Sequence, residues 1–246
     1  MHKTTYEAPK LLQPERIRSI EHLDRPETDP SEKTASYADL ERISRLPFQF
    51  GTLWRAVRRL ATLQEGDQRP LRLLELGSGT GAVGLRLARR LSREIGPVDI
   101  CLTDIQTTSL PPRTQEAGVR VDSRRIDVLH DAFPPSDIVF SNLLIHHFDD
   151  ADALQVLRKM HGSSRLGGVV YDLDRNRWAF KLLKAFFPLW ARSPITVADS
   201  LLSVQQAFRR EELLDLARRA GMVNSRTRSI FRVRLLLEWR SDVPLG

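Results

Sequence analysis

Three features of the sequence predict an α/β fold built on a largely parallel sheet. Short apolar runs alternate with amphipathic stretches from residue 71 to residue 239, an order that makes parallel strands with helices on both faces. A glycine-rich turn, "GSGTG" at 77–81, directly follows the first apolar run, where an open parallel sheet receives its ligand. Hydrophobic side chains make up 41% of the 246 residues, enough for one sizeable core.

Residues 1–68 read as an N-terminal helical cap that gates the substrate. Residues 1–30 are polar and proline-bearing, so they read as loop. "SEKTASYADLERISRL" and "FQFGTLWRAVRRLATL" repeat apolar positions at helical spacing and predict two helices, ending before "QEGDQRP". Residues 69–246 form the main domain. "LRLLEL" (71–76) is its first strand. "AVGLRLARRLSREIG" (82–96) is an amphipathic helix stopped by glycine. "VDICLTD" (98–104), "VRVDSRRIDV" (119–128), "DIVFSNLL" (137–144) and "GGVVYDLD" (167–174) are strands. "DDADALQVLRKMHGSS" (149–164) opens on acids, as a helix start favours. After a helical insert at 176–208, "REELLDLARRAGM" (210–222) is a helix and "SIFRVRLLLEW" (229–239) a last strand.

No run of eighteen apolar residues is present, and the start lacks the apolar centre of a secretory signal. A cytoplasmic protein is expected. The single cysteine, Cys101, lies in a strand pattern, which excludes an internal disulfide and a Cys-rich zinc site. No His/Cys/Asp cluster has metal-ligand spacing, so no metal is expected. The net charge of +7 comes from the last 71 residues, with 13 basic and 6 acidic side chains. That basic third suits phosphate, a membrane surface or an anionic substrate, or is a solvated arginine-rich surface.

The glycine loop admits two ligands. Gly79, Gly81 and Gly84 satisfy the dinucleotide spacing, and a pyrophosphate profits from a helix N-terminus. The carboxylate of S-adenosylmethionine profits equally. Glu75 favours the second, because a carboxylate there repels pyrophosphate and faces a cationic ligand. Asp104, ending the second strand, can accept from both ribose hydroxyls of either cofactor. Asp127, after the third strand, either caps a turn or accepts from an adenine amino group. Gly84 reads as a helix–sheet packing glycine.

"LLELGSGTG", an acid after the second strand, "DIVFSNLLIHHF" and the late "GGVVYDLD" together resemble a class I S-adenosylmethionine-dependent methyltransferase, over roughly residues 70–240. The resemblance implies a Rossmann-like, seven-stranded sheet whose last strand is antiparallel. It places Glu75, Gly77, Ser78 and Gly79 at the methionine part of the cofactor. It places Asp104 at the ribose, Ile105 beside adenine, Asp127 and Val128 at the adenine edge, and Asn142 next to the transferred methyl. "SNLLIHHF" is not the N/D-P-P-Y motif of amide or adenine N-methylation, and mid-strand Cys101 is misplaced for cytosine C5 chemistry. "LIHHF" is similar to quinone-type and polyketide-tailoring members, which implies small-molecule O-methylation in secondary metabolism. His146 and His147 then stand at the pocket mouth as candidate general bases. Tyr171, Asp172 and Asp174 are second candidates for orienting the acceptor.

The expected acceptor is a small apolar molecule, aromatic or lipid-like, methylated on a hydroxyl or carbon. The N-terminal helices, with Phe48, Phe50 and Trp54, are expected to close over it. "NRWAFKLLKAFFPLWARSPITVA" carries four basic residues and no acid. Arg177, Lys181 and Lys184 form one stripe. Trp178, Leu182, Phe186 and Leu189 form another, and Pro188 is expected to kink or end the helix. Residues 176–192 therefore read as a peripheral contact with an anionic membrane surface, a lid, or an ordinary packed helix. "SVQQAFRREEL" resembles a late segment in which an arginine sometimes replaces Gln205 or Gln206. The rivals are a nucleic-acid methyltransferase using the basic third, an NAD(P)-dependent oxidoreductase, and a non-catalytic binding module. The oxidoreductase lacks a Tyr-x-x-x-Lys pair.

Overall fold

A computed structural model describes residues 9, 15–44, 47–64, 66, 69–106, 111–116 and 118–241. The main domain is an α/β sheet with helices on both faces. Its strands are β1 (Leu71–Leu76), β2 (Val98–Asp104), β3 (Thr114–Glu116), β4 (Val119–Arg125), β5 (Ser136–Asn142), β6 (Ser164–Leu173), β7 (Ser225–Ile230) and β8 (Arg234–Arg240). They lie in the order β3-β4-β2-β1-β5-β6-β8-β7. β4, β2, β1, β5 and β6 are parallel, and β8 runs antiparallel between β6 and β7. The chain leaves β1 first toward β2 and then returns to β5 on its other side. The crevice between the carboxyl ends of β1 and β5 is thus the topological switch point.

The described sheet has eight strands rather than seven. The extra one is β3, which folds back antiparallel on β4 through a turn at Gly118, whose φ is +76°. The single strand expected at 229–239 is also two strands. Phe231 and Arg232 both take left-handed φ, +51° and +55°, and reverse the chain. Neither is a glycine or asparagine, so the sequence carries no turn signal there. The antiparallel last strand is borne out by β8.

On one face α2 (Pro47–Ala61) and α3 (Ala82–Ile95) bury Leu53, Val57, Leu87 and Leu91 against Leu73, Ile100 and Phe140. On the other, α4 (Asp150–Ser163) and α7 (Arg210–Arg219) bury Leu157 and Leu216 against Leu74, Val139 and Trp239. On the first face packs α2, the second helix of the cap expected at 1–68. Phe50 and Trp54 lie in the core, with the Arg86 and Arg90 guanidinium groups 3.9 and 4.3 Å above their rings. An amphipathic pattern specifies a buried face but not what buries it. The side chain of Phe48 and residues 1–8 and 10–14 lie outside the described residues.

What remains of the cap is residues 15–29 and α1 (Pro30–Ser44), which run against α6 (Pro194–Gln206). Asp199 on α6 accepts the backbone N–H groups of His22 and Leu23 at 2.8 and 2.9 Å. Gln206 accepts that of Ser19 at 3.0 Å, and the Arg16 guanidinium reaches the carbonyls of Gln206 and Phe148. This strap lies across the carboxyl end of β5. The insert preceding α6 is α5 (Arg177–Trp190), N-capped by Asn176, whose side chain accepts from Trp178 and Ala179 at 2.9 Å. It ends two residues after Pro188. No helix among the described residues is long and apolar enough to cross a membrane.

Candidate active site

The loop from β1 to α3 carries the first half of the site. A side chain on Gly77 would strike Leu144, and one on Gly81 would strike Leu102, whereas one on Gly79 would meet nothing within 4 Å. Gly79, with φ +53°, therefore turns bare backbone to open space, as close approach of a ligand requires. The Ser78 N–H and hydroxyl both donate to the Thr103 carbonyl, at 2.9 and 3.2 Å, which ties the loop to the end of β2. Gly81 caps α3 with no side-chain acceptor, so the N-terminal end of the helix and its dipole stand beside the same loop.

Glu75 is 2% exposed and lies beneath α3. Burial pushes its carboxyl up to about 8, against the Gly84 N–H and reinforced by the Asp104 charge. Its Oε2 is buried without a hydrogen-bond partner. Gly84 leaves room for this carboxylate, since any side chain there would collide with it and with Leu102. That is the packing role expected of Gly84. Asp104 accepts the Gly79 N–H at 2.8 Å and the Gln106 N–H at 3.0 Å, each on a different oxygen. Ile105 beside it leaves 53% of its surface exposed, an apolar platform. Asp127 builds a turn: it accepts from Leu129 at 2.9 Å and lies 3.0 Å from His130 Nδ1. The Val128 carbonyl accepts from Lys159. Cys101 is half-buried and its thiol is raised to about 11 by burial, so it is no nucleophile.

The second half follows β5. Asn142 ends the strand, and Leu143 takes φ +59°, a strained conformation for a leucine, held by its N–H on the Tyr171 carbonyl at 2.9 Å. Leu144 packs over Gly77, so the turn Ile145–His147 sits beside the glycine loop. His146 is buried. Its Nδ1 lies 2.6 Å from Asp172, which also accepts the His146 backbone N–H at 3.1 Å. Its Nε2 lies 3.7 Å from Glu21 of the strap. Burial alone would lower its pKa, but Asp172 and then Glu21 outweigh that and hold it near 10. His147 is half-buried, its ring 4.2 Å from that of His146, and burial with the neighbouring charge pushes it down to about 4. Neither ring nitrogen of His147 has a hydrogen bond among the described residues.

Contacts join Gly77 to Leu144, Ser78 to Thr103 and Gly79 to Asp104, so the glycine loop lies between the end of β2 and the turn that carries His146 and His147. Asp174 is turned away, onto Ser229. Sequence reasoning missed Glu21. It lies 125 residues from His146, and only the fold joins them. The expectation of no metal rested on local spacing, which does not register that the fold brings donor atoms of Glu21, His146 and His147 within 4.8 Å of one another.

A family model described as a methyltransferase domain matches residues 74–170, from β1 into β6. Among solved structures, the plantazolicin methyltransferase BamL, bound to S-adenosylhomocysteine, superposes with a TM-score of 0.62 at 12% identity, covering 87% of this chain and 92% of that one. Human N-acetylserotonin methyltransferase, bound to S-adenosylmethionine, gives 0.58 at 15% identity, over 86% of this chain and 57% of that one. The methyltransferase SibL gives 0.58 at 18%, over 93% and 63%. The chain therefore spans little more than half the length of two of these neighbours, and at such identities they share its fold. No curated protein matches it in sequence. The residues present fit the cofactor of these folds: an open glycine cradle, a helix N-terminus and an unpartnered buried carboxylate oxygen. Every one of these groups lies in the matched segment, which is similar to a methyltransferase domain.

Proposed function

We propose that the protein methylates a hydroxyl, or a carbon, of a small apolar acceptor. The observation that carries this reading is the Asp172–His146–His147 group, set directly beside the glycine loop. S-adenosylmethionine, when bound, supplies a methyl group already activated on a sulfonium. The chain's own tasks are to hold the donor, align the acceptor and manage its proton. Gly79 and the start of α3 receive the cofactor carboxylate, and Glu75 lies on its cationic side. Asp104 holds the ribose, Ile105 covers adenine, and Asp127 and Val128 border its edge. Asn142 stands next to the reacting methyl. His147, the ring left untied, faces the acceptor, and His146, held at Nδ1 by Asp172 with Nε2 toward Glu21, is its positioning partner.

BamL was solved with a triazolic desmethylPZN analogue as well as S-adenosylhomocysteine, in keeping with a small-molecule acceptor on this fold. Nucleic acid is the rival acceptor; within the basic C-terminal third Arg210 pairs with Glu211, Arg219 with Asp215, and Arg226 and Arg228 share Glu238. Calorimetric titration with S-adenosylhomocysteine, followed by transfer of labelled methyl to a panel of phenols, quinols and lipid-tailed alcohols, tests the proposal. Micromolar binding and labelling of such acceptors is expected. Labelling of RNA alone, with salt-sensitive RNA binding, overturns it.

A second reading concerns α5. Ala179 and Phe180 are its buried contacts, while Trp178, Phe186 and Leu189 remain 56, 56 and 77% exposed. With Arg177, Lys181 and Lys184 and no acid, we propose that this face rests on an anionic membrane surface. The expected result is binding to anionic but not neutral vesicles, lost on joint Lys181→Glu and Lys184→Glu substitution. Failure of the unmodified protein to bind either vesicle ends the idea.

A further inference from the structure

Glu21, His146 and His147 bring one carboxylate oxygen and two ring nitrogens within 4.8 Å of one another. We propose that these three side chains bind a divalent transition-metal ion, zinc by preference, on the acceptor side of the site.

Two imidazoles and one carboxylate are the donor set of an open zinc site, with three protein ligands and a free position. The surroundings are those that such a ligand set needs. Asp172 occupies His146 Nδ1 at 2.6 Å, which fixes the tautomer and leaves Nε2 to face Glu21. A carboxylate on the far nitrogen is the usual support of a metal-bound histidine. The carboxylate is supported too, since Glu21 Oε1 accepts from the Ser203 hydroxyl and, at 3.4 Å, from the Gln206 amide. The 3.7 Å between His146 Nε2 and Glu21 Oε1 exceeds a hydrogen bond. Two ligands on one tetrahedral zinc stand roughly 3.4 Å apart, given bonds of about 2.1 Å. The histidines come from one short turn and Glu21 from a strap outside any long element, so a small movement of the strap completes the site. His147, which has no other polar partner among the described residues, gains one.

For the ion's task this inference rests on the methyl-transfer reading. An acceptor hydroxyl in the open position is held beside the cofactor cradle, and the cation favours its ionised form. His147 then meets the acceptor through the ion.

The test uses the untagged full chain, stripped with a chelator. Zinc is titrated against a chromophoric chelator, and cobalt(II) is followed by its visible absorption. One equivalent of zinc and a four-coordinate cobalt spectrum are expected. Glu21→Gln and His147→Ala should each weaken zinc by at least about 100-fold, with melting temperature and S-adenosylhomocysteine affinity retained. If Glu21→Gln loosens the strap, His147→Ala decides alone. No stoichiometric zinc, or unchanged affinity in His147→Ala, overturns the site. Zinc binding without S-adenosylhomocysteine binding leaves the site standing and sinks the methyltransferase reading, and the converse result does the opposite.

Discussion

Replacing His147 by alanine is expected to cut turnover by about 10²- to 10⁴-fold, the usual contribution of a group that handles the acceptor's proton, and to leave cofactor binding intact. The contrast between the two adjacent histidines makes this informative. His146 is held by Asp172 on one nitrogen and faces Glu21 on the other, inside the protein. Its removal strands two buried carboxylates, a costly change whatever the chemistry. An inactive His146→Ala is therefore an ambiguous result. His147 has no polar tie to lose and is half-buried, so His147→Ala should keep its melting temperature within a few degrees. Turnover is measured with saturating donor, and S-adenosylhomocysteine affinity is measured alongside. A drop in kcat with unchanged affinity assigns the ring to the acceptor step. Full turnover moves that step to another residue.

The parts of the site that were legible in the sequence are those whose function is local. The glycine loop, the strand-end acid and the helix start proposed to hold the cofactor all lie within the span Glu75–Asp104. Backbone approach, a helix N-terminus and a strand-end acid each leave a mark at fixed offsets. The acceptor half is different, because its groups are assembled by the fold. Glu21 reaches His146 only because Asp199 and Gln206 on α6 hold the strap by its backbone N–H groups, and no spacing rule links residues so far apart. The same limit explains Phe50 and Trp54. Their helical spacing is legible in the sequence, whereas the sheet face that buries them is not. Leu143, Phe231 and Arg232 mark a third kind of gap. Left-handed backbone at bulky residues is imposed by tertiary contacts, against local preference, and leaves no compositional trace. Asp127 shows a fourth: turn cap and adenine acceptor need the same residue at the same place, and the turn bonds are present in the folded chain.

Replacing Asp104 by alanine is expected to weaken S-adenosylhomocysteine binding by roughly 10- to 100-fold, as loss of hydrogen bonds to a charged group costs about 1.5–3 kcal/mol. Two losses contribute. One is the contact with the ribose hydroxyls that the strand-end position proposes. The other is internal, since Asp104 accepts the Gly79 N–H at 2.8 Å and so sets the most open residue of the loop. Asp104→Asn separates them. One amide oxygen can still accept a backbone N–H, but the charge that strengthens both interactions is gone, so its affinity should fall between those of the native protein and the alanine variant. Adenosine competes for the ribose contact alone and gives the second readout. If adenosine affinity falls in parallel with that of S-adenosylhomocysteine, the carboxylate acts on the ribose. If S-adenosylhomocysteine weakens and adenosine does not, Asp104 acts by shaping the loop for the methionine part. Unchanged affinity for both ligands refutes the ribose assignment, and with it the register in which Ile105 and Asp127 were set around adenine.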